Sequence, residues 1–298
     1  MSTSVAAIIL TYNEEQHIAR CINSLLASVD EIFVIDSYSQ DKTLEIAKGL
    51  GANVFQNPWK NYAQQFNWAL ENCDIHSEWI WRIDADEYLE SPETTNLRDS
   101  LGDLPQTVTG AYIKRKIIFL GRPLLHGGWY PVWHLKIWRT GKAYCENRWM
   151  DEHMKLIEGQ TRHINCVQVD ENLNDLSWWT DKHNSYATRE MIDLFDIKYQ
   201  IFEQNTVIPR FFGTSEQRKR WMKLRYVNLP LFIRPLIYFI YRYIFRFGFL
   251  DGKSGLIWHI LQGFWYRFLV DTKIFELKKR FKNNPEALIA YLKTTYQI

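Results

Sequence analysis

The chain has almost no net charge: 36 basic and 34 acidic side chains among 298 residues leave a formal +2, so no whole-molecule polyelectrolyte argument applies. Its four cysteines, Cys21, Cys73, Cys145 and Cys166, contain no Cys-x-x-Cys pair. That excludes the common zinc and dithiol redox motifs and leaves reduced, partly buried thiols as the simplest reading. His126, His134, His153 and His163 likewise lack zinc-site spacing. The start, Met1-Ser2-Thr3-Ser4, has no basic region, and the apolar run at 5–10 stops at Thr11, so a cytosolic start is expected instead of a signal peptide. What is present is a core: 46 % apolar and 15 % aromatic residues, including 13 Trp, exclude a disordered chain, and the length suits one or two domains.

Residues 5–10 (VAAIIL) form a wholly apolar run that ends in Thr-Tyr-Asn-Glu, as a strand buried on both faces of a parallel sheet would. Ile18, Ile22, Leu25 and Leu26 then recur at helical spacing, and residues 31–36 (EIFVID) repeat the pattern of an apolar run closed by an acid. Helices over 41–48 and 61–73 and strands over 52–55 and 79–83 continue the alternation. The expected fold is therefore doubly wound α/β, with ligands beyond the carboxyl ends of the strands. Three acidic clusters lie there: Glu14-Glu15, Asp36, and Asp84-Ala85-Asp86-Glu87. Glu15 and Asp41, taken singly, read best as caps or solvated loop acids. Asp84 and Asp86, one residue apart at a strand end, can together hold a hard divalent cation and through it phosphate oxygens. No Gly-x-Gly-x-x-Gly or Gly-x-x-x-x-Gly-Lys loop follows the first strand, so a diphosphate would need a metal in place of a helix N-terminus.

At these residues the chain resembles the family 2 glycosyltransferases of the GT-A fold. Thr11-Tyr12-Asn13-Glu14 is similar to the family's Thr/Ala-Tyr-Asn-Glu turn, residues 34–43 (VIDSYSQDKT) resemble its Val-Val-Asp-Asp-Gly-Ser-Thr-Asp-Gly-Thr, and Asp84-Ala85-Asp86 matches its Asp-x-Asp. The ordered set covers about the first 90 residues. The resemblance implies a Rossmann-like nucleotide-sugar-binding domain in which Thr11, Tyr12, Asn13, Glu14, Asp36, Asn67 and Asp84 bind a UDP-sugar and Asp86 ligates Mg²⁺ or Mn²⁺. Ser37 and Tyr38 replace the second Asp and the Gly of the pattern, which leaves a dTDP-sugar open.

An inverting transfer needs a base for the acceptor hydroxyl. The family supplies an acid 60 to 100 residues beyond Asp-x-Asp, and Asp151-Glu152-His153 qualifies, with Glu152 66 residues after Asp86. Glu152 is preferred and Asp151 is second. Residues 121–138 (GRPLLHGGWYPVWHLKIW) are dense in Gly, Trp and His; His126, Trp129 and Trp133 suit a sugar-stacking pocket or an aromatic core hairpin equally.

The neutral total hides a polarised chain. Residues 210–280 carry 15 Lys/Arg against 4 Asp/Glu, or +11, which leaves −9 for the remainder, and they hold 18 of the 46 aromatic residues. Residues 229–250 are apolar enough to tempt a membrane-spanning reading, but Arg234, Arg242 and Arg246 fall at 0, about 80° and about 120° on a helical wheel. One basic flank on an apolar helix suits the membrane interface. A helical pair packed on the first domain is the plainer alternative, and nucleic acid is disfavoured because no binding motif is present. Gln217-Arg218-Lys219-Arg220-Trp221 spells the Gln-x-x-Arg-Trp of processive synthases without their flanking membrane helices.

The expectation is thus a GT-A domain over 1–206 and a basic, aromatic, membrane-associating helical region over 207–298. Such a protein would be peripheral on the cytoplasmic face of the inner membrane. It would transfer a hexose to a lipid-linked saccharide such as a lipopolysaccharide-core or exopolysaccharide precursor, on an anionic surface. Alternatives are transfer to polyprenyl phosphate, a phosphohydrolase with Asp84 as nucleophile, and a non-catalytic membrane-binding scaffold.

Overall fold

A computed structural model describes residues 3–91, 96–146, 153–201, 221, 224–282 and 284–296. Two compact units divide the chain, Met1–Leu173 and Asn174–Ile298. The expected boundary at 206/207 lies outside the described residues.

The N-terminal unit opens as the apolar runs require. Strand β1 (Val5–Thr11) is buried along its whole length. Helix α1 (Ile18–Leu25) buries Ile18, Cys21, Ile22 and Leu25, one face at helical spacing. β2 (Glu31–Asp36), α2 (Thr43–Gly49), β3 (Asn53–Gln56), α3 (Tyr62–Asn72) and β4 (Trp79–Asp84) follow within a residue or two of the expected positions. The Asn61 side chain caps α3 by accepting the Gln64 N–H at 2.8 Å. Then come β5 (Glu87–Leu89), α4 (Leu97–Gly102), β6 (Val108–Phe119), β7 (Arg122–Pro123), β8 (Val132–Arg139), β9 (Ala143–Cys145), β10 (Met154–Leu156) and β11 (Gln160–Asp170).

The main sheet runs β3-β2-β1-β4-β8-β6-β11-β5. Its first four strands are parallel, while β8 is antiparallel to both β4 and β6. The alternating residues of β1 go to opposite sides: Val5, Ala7 and Ile9 join α1, whereas Ala6, Ile8 and Leu10 join Ala63, Phe66 and Ala69 of α3. The sheet is therefore covered on both faces, and the chain order reverses between β1 and β4, where an open α/β sheet leaves its crevice. The α/β expectation holds for this unit, with an antiparallel half that periodicity did not reveal. All four cysteines are buried thiols.

In the C-terminal unit, α5 (Leu176–Tyr199) is capped by Asp175, whose carboxylate accepts the Trp178 N–H at 2.8 Å. Residues 229–250 do not form the single basic-flanked helix read from the wheel. They contain α6 (Ile233–Ile240), a π turn (Tyr241–Phe245) and a 3₁₀ turn (Gly248–Asp251), followed by α7 (Gly252–Trp258), a second π turn (His259–Trp265), α8 (Tyr266–Arg280) and α9 (Pro285–Tyr296). The break falls where Phe247 has φ +60°, and a Cβ on Gly248 would lie 2.2 Å from His259 Nε2, so the absent side chain lets the His259 ring pack against this turn.

Arg234 also departs from the exposed-flank reading. It is 1 % exposed and faces Asp271, which is fully buried. Its Nε donates to Asp271 Oδ1 at 2.8 Å, its Nη2 donates to the same oxygen, and its Nη1 donates to the Val227 carbonyl at 3.1 Å. Asp271 Oδ2 accepts the Phe232 N–H at 2.8 Å. Among the described residues no helix is long and apolar enough to cross a membrane.

Candidate functional site

Strand register puts the acids at one level. Thr11 pairs with Asp36 on one side of β1, and Leu10 pairs with Asp84 on the other, so the carboxyl ends of β2, β1 and β4 lie side by side. The turns after β1 and β2 are stitched together. Asn13, at φ +55°, donates its N–H to Ser39 Oγ at 2.8 Å and accepts the Gln40 N–H at 2.9 Å; the Glu14 N–H goes to Thr43 Oγ1 at 2.7 Å. Asp41 accepts the Thr43 N–H at 3.0 Å and the Glu15 N–H at 3.1 Å, which is the capping role expected of it.

Asp36 is fully buried in this stitching. Its carboxylate accepts Thr11 Oγ1 at 3.2 Å, the Ser39 N–H at 2.8 Å, Gln56 Nε2 at 3.2 Å and the Ser39 hydroxyl. Tyr12 and Tyr38, on the two joined turns, are 55 % and 52 % exposed, which leaves ring faces on which a planar base can stack. Glu14 is engaged by His17, whose Nδ1 lies 2.6 Å from Glu14 Oε2. His17 Nε2 accepts the Leu173 N–H at 2.8 Å, which assigns the ring proton to Nδ1 and makes that nitrogen the donor to Glu14.

Asp84 stands in a chain of polar groups, partly buried at Tyr62 and Arg82 and buried at Lys136, Glu87 and Gln168. Its Oδ1 accepts the Tyr62 hydroxyl at 2.7 Å, and that hydroxyl accepts Arg82 Nε at 2.7 Å. Lys136 Nζ lies 3.6 Å from Asp84 Oδ2 and 2.9 Å from Glu87 Oε2. Glu87 in turn accepts the Asp84 N–H at 2.8 Å and the Gln168 amide, whose oxygen accepts Trp81 Nε1 at 2.8 Å. The two acids are driven in opposite directions. Burial would raise Asp84, but the Lys136 and Arg82 cations and the Tyr62 hydrogen bond outweigh it and hold the carboxyl well below the usual carboxylate range. Burial dominates at Glu87 and, with the Asp84 charge, pushes it up to about 7 against the pull of Lys136.

Lys136→Met should therefore destabilise the protein in a pH-dependent way. Without the cation both carboxyl pKa values rise. A raised Glu87 contributes stability that is complete below its unfolded pKa near 4.3 and is lost as pH climbs through its folded value. Asp84 loses the benefit it had above its unfolded pKa near 3.9. Proton uptake by Glu87 keeps the loss below the about 3–5 kcal/mol of a buried pair broken with its charge left in place. Urea unfolding at pH 8 and pH 5 should show the larger deficit at pH 8, and an equal deficit would remove Lys136 from this electrostatic role.

Asp86 lies two residues beyond β4 and is partly exposed. Its Oδ2 accepts Asn172 Nδ2 at 3.0 Å, and its turn is braced by Arg20, which reaches the Asp86 carbonyl at 3.3 Å while binding Glu171 Oε2 at 2.8 Å. No group of three or more His, Cys, Asp or Glu among the described residues forms a ready cation cage. Asp84 and Asp86, both partly exposed, are the carboxylates at this strand end. A magnesium-like ion held by one or two carboxylates and completed by substrate phosphate oxygens fits that donor set.

Asn67 has a structural use. Its Nδ2 donates to the Cys145 carbonyl at 2.9 Å and its Oδ1 accepts the Cys145 N–H at 2.8 Å, tying α3 to the β9–β10 hairpin. Residues linking β9 to β10 include Asp151 and Glu152, which lie outside the described residues. The aromatic stretch divides: Trp138 is core, whereas Trp133 packs on His163 at 4.5 Å under Lys114 at 5.3 Å. The structure thus gathers Thr11, Asn13, Glu14, Asp36, Asp84 and Asp86 at one end of the sheet and adds Tyr62, Glu87, Lys136, His17 and Arg20. Of these, the Asp84–Glu87 run signalled only Glu87 in advance.

Residues 6–151, just under half of the chain, match the family model described as Glycosyl transferase family 2. An uncharacterized glycosyltransferase of Rickettsia felis is 47 % identical over 85 residues, 28 % of this chain and 29 % of that protein, so the chain matches under a third of that relative's length. The lipopolysaccharide core biosynthesis glycosyltransferase LpsC of Rhizobium meliloti is 27 % identical over 281 residues, 91 % of this chain and 92 % of that one. Among solved structures, a glucosyl-3-phosphoglycerate synthase from Mycobacterium tuberculosis, in complex with Mn²⁺, UDP and glucosyl-3-phosphoglycerate, aligns at 22 % identity and TM-score 0.30, covering 39 % of this chain and 44 % of that one.

Proposed function

From the premise that residues 6–151 are a family 2 glycosyltransferase domain, we propose that the protein is a metal-dependent inverting hexosyltransferase that uses a nucleotide-sugar donor, a UDP-sugar first, and a lipid-linked saccharide acceptor. The observation that carries this reading is the level register of Thr11, Asp36 and Asp84 at the β1/β4 crevice, with Asp86 just beyond. The joined turns carrying Tyr12, Asn13 and Glu14 would receive the nucleoside. Asp36 would keep those turns in shape, and Asp84 would lie toward the ribose.

Asp86 would hold Mg²⁺ or Mn²⁺, and a bound cation neutralises charge on the departing diphosphate. The acceptor hydroxyl oxygen attacks the anomeric carbon, the bond from that carbon to the diphosphate oxygen breaks, and Glu152, or Asp151 in second place, takes the hydroxyl proton. The boundary of the catalytic region near residue 206 belongs to the same proposal.

The peripheral, cytoplasmic-face location is supported by exposed Ile237, Ile244, Phe245, Phe247 and Leu250 in a basic stretch. Similarity to LpsC supports a lipopolysaccharide-core or related glycolipid acceptor. Polyprenyl phosphate would be served by the same basic surface.

The test is nucleotide release from a panel of UDP- and dTDP-sugars, with and without Mn²⁺, in the presence of glycolipid extract or polyprenyl phosphate. Release that depends on donor, metal and acceptor supports the proposal; none from any donor would leave the scaffold reading. In the same assay Glu152→Gln should lower kcat by about 10² to 10⁴ with donor KM little changed. Collapse of donor affinity with turnover intact would place the base elsewhere.

A further inference from the structure

Within the C-terminal unit a cavity of about 580 Å³ is lined by residues of α5, of 224–234 and of α8. Its volume lies in the range of about 300–1,000 Å³ usual for small-molecule sites. The walls include Leu194, Phe195 and Ile274, none more than 5 % exposed. Among the described residues, three that line it are cationic, Lys198, Arg234 and Lys278, and none is acidic. Asp271 answers Arg234 from outside the lining. Burial first, then the charges of Lys198 and Arg234, lower the Lys278 ammonium pKa, so these cations share one electrostatic environment that an incoming anion would relieve. Leu229 and Leu231 also line the cavity, Leu229 at 37 % exposure.

Each feature selects against a simpler occupant. A free phosphate ion would use the lysines and leave the apolar walls empty. A neutral hydrocarbon would fill the walls and leave the ammonium groups of exposed Lys198 and half-buried Lys278 unused. We infer that this cavity binds an amphiphile with a phosphate head at Lys198 and Lys278 and an aliphatic chain against Leu194, Phe195 and Ile274. The site belongs to the C-terminal unit alone and goes beyond the transfer reaction.

The experiment is calorimetric titration of the full chain with dihexanoyl phosphatidic acid kept monomeric, with inorganic phosphate, and with dihexanoylglycerol as the neutral counterpart. Expected are saturable one-to-one binding of the lipid phosphate, at least about ten-fold weaker binding of the other two, and about a ten-fold rise in Kd for Lys198→Ala/Lys278→Ala. Far-UV circular dichroism checks the fold of that variant, and Lys198→Ala alone, at an exposed position, should still weaken binding measurably. Equal affinity for inorganic phosphate would reduce the cavity to an anion site. Equal affinity for the neutral lipid would reduce it to an apolar groove, and unchanged lipid-phosphate binding by both variants would move the binding elsewhere; each overturns the inference.

Discussion

Replacing Asp86 with alanine should remove sugar transfer, lowering kcat/KM by about a thousand-fold or more, ~4 kcal/mol of transition-state stabilisation, while the protein stays folded. The size is that of losing the carboxylate proposed to hold the cation on the diphosphate. Asp36 is fully buried and surrounded by donors. Asp84 is held by Tyr62 and Lys136, and Glu87 by Lys136 and Gln168. Asp86 is partly exposed, so truncating it removes the proposed cation ligand without opening the core. Its hydrogen bond from Asn172 at 3.0 Å is worth only about 1 kcal/mol. Nucleotide release over a Mn²⁺ titration, alongside a thermal melt, measures both halves of the expectation. Wild-type turnover in Asp86→Ala would remove the metal assignment and with it the proposed handling of the diphosphate.

Replacing Asp271 with alanine should cost the C-terminal unit about 3–5 kcal/mol, because Arg234 would keep its burial and lose its counter-charge. Asp271 is fully buried, and it serves the guanidinium and the Phe232 amide at once, so the truncation orphans a cation and a backbone donor together. Asp271→Asn, which keeps an acceptor oxygen, should lose less. Joint replacement by Arg234→Met/Asp271→Leu should lose least of the three, since removing both charges avoids the unpaired one. Urea unfolding followed by the tryptophans of this unit separates the cases. A deficit under about 1 kcal/mol for Asp271→Ala would show that the pair does not organise the unit.

The two variants probe features of unequal legibility. Apolar runs closed by Thr11, Asp36 and Asp84 disclosed the first four strands, because a strand buried on both faces has no polar position until it leaves the sheet. The turn residues could be ranked from sequence for the same reason. Lys136, Tyr62 and Gln168 could not, since each is ordinary in its own segment and acquires its role from partners 20 to 87 residues away. Arg234 shows the converse. A helical wheel grouped it with Arg242 and Arg246, but a wheel contains no information about Asp271, 37 residues further on, which turns an interfacial cation into a buried one.

By itself, then, the sequence determined the parallel half of the sheet, the acids at its carboxyl edge and the basic, aromatic character of the second unit, because those depend on the periodicity and composition of contiguous residues. Tertiary structure alone decided which partners each acid meets, how β8, β6 and β11 extend the sheet, and that Arg234 is interior. Those outcomes depend on pairing between distant segments, where burial removes water and a single counter-charge or hydrogen bond changes what a side chain can do.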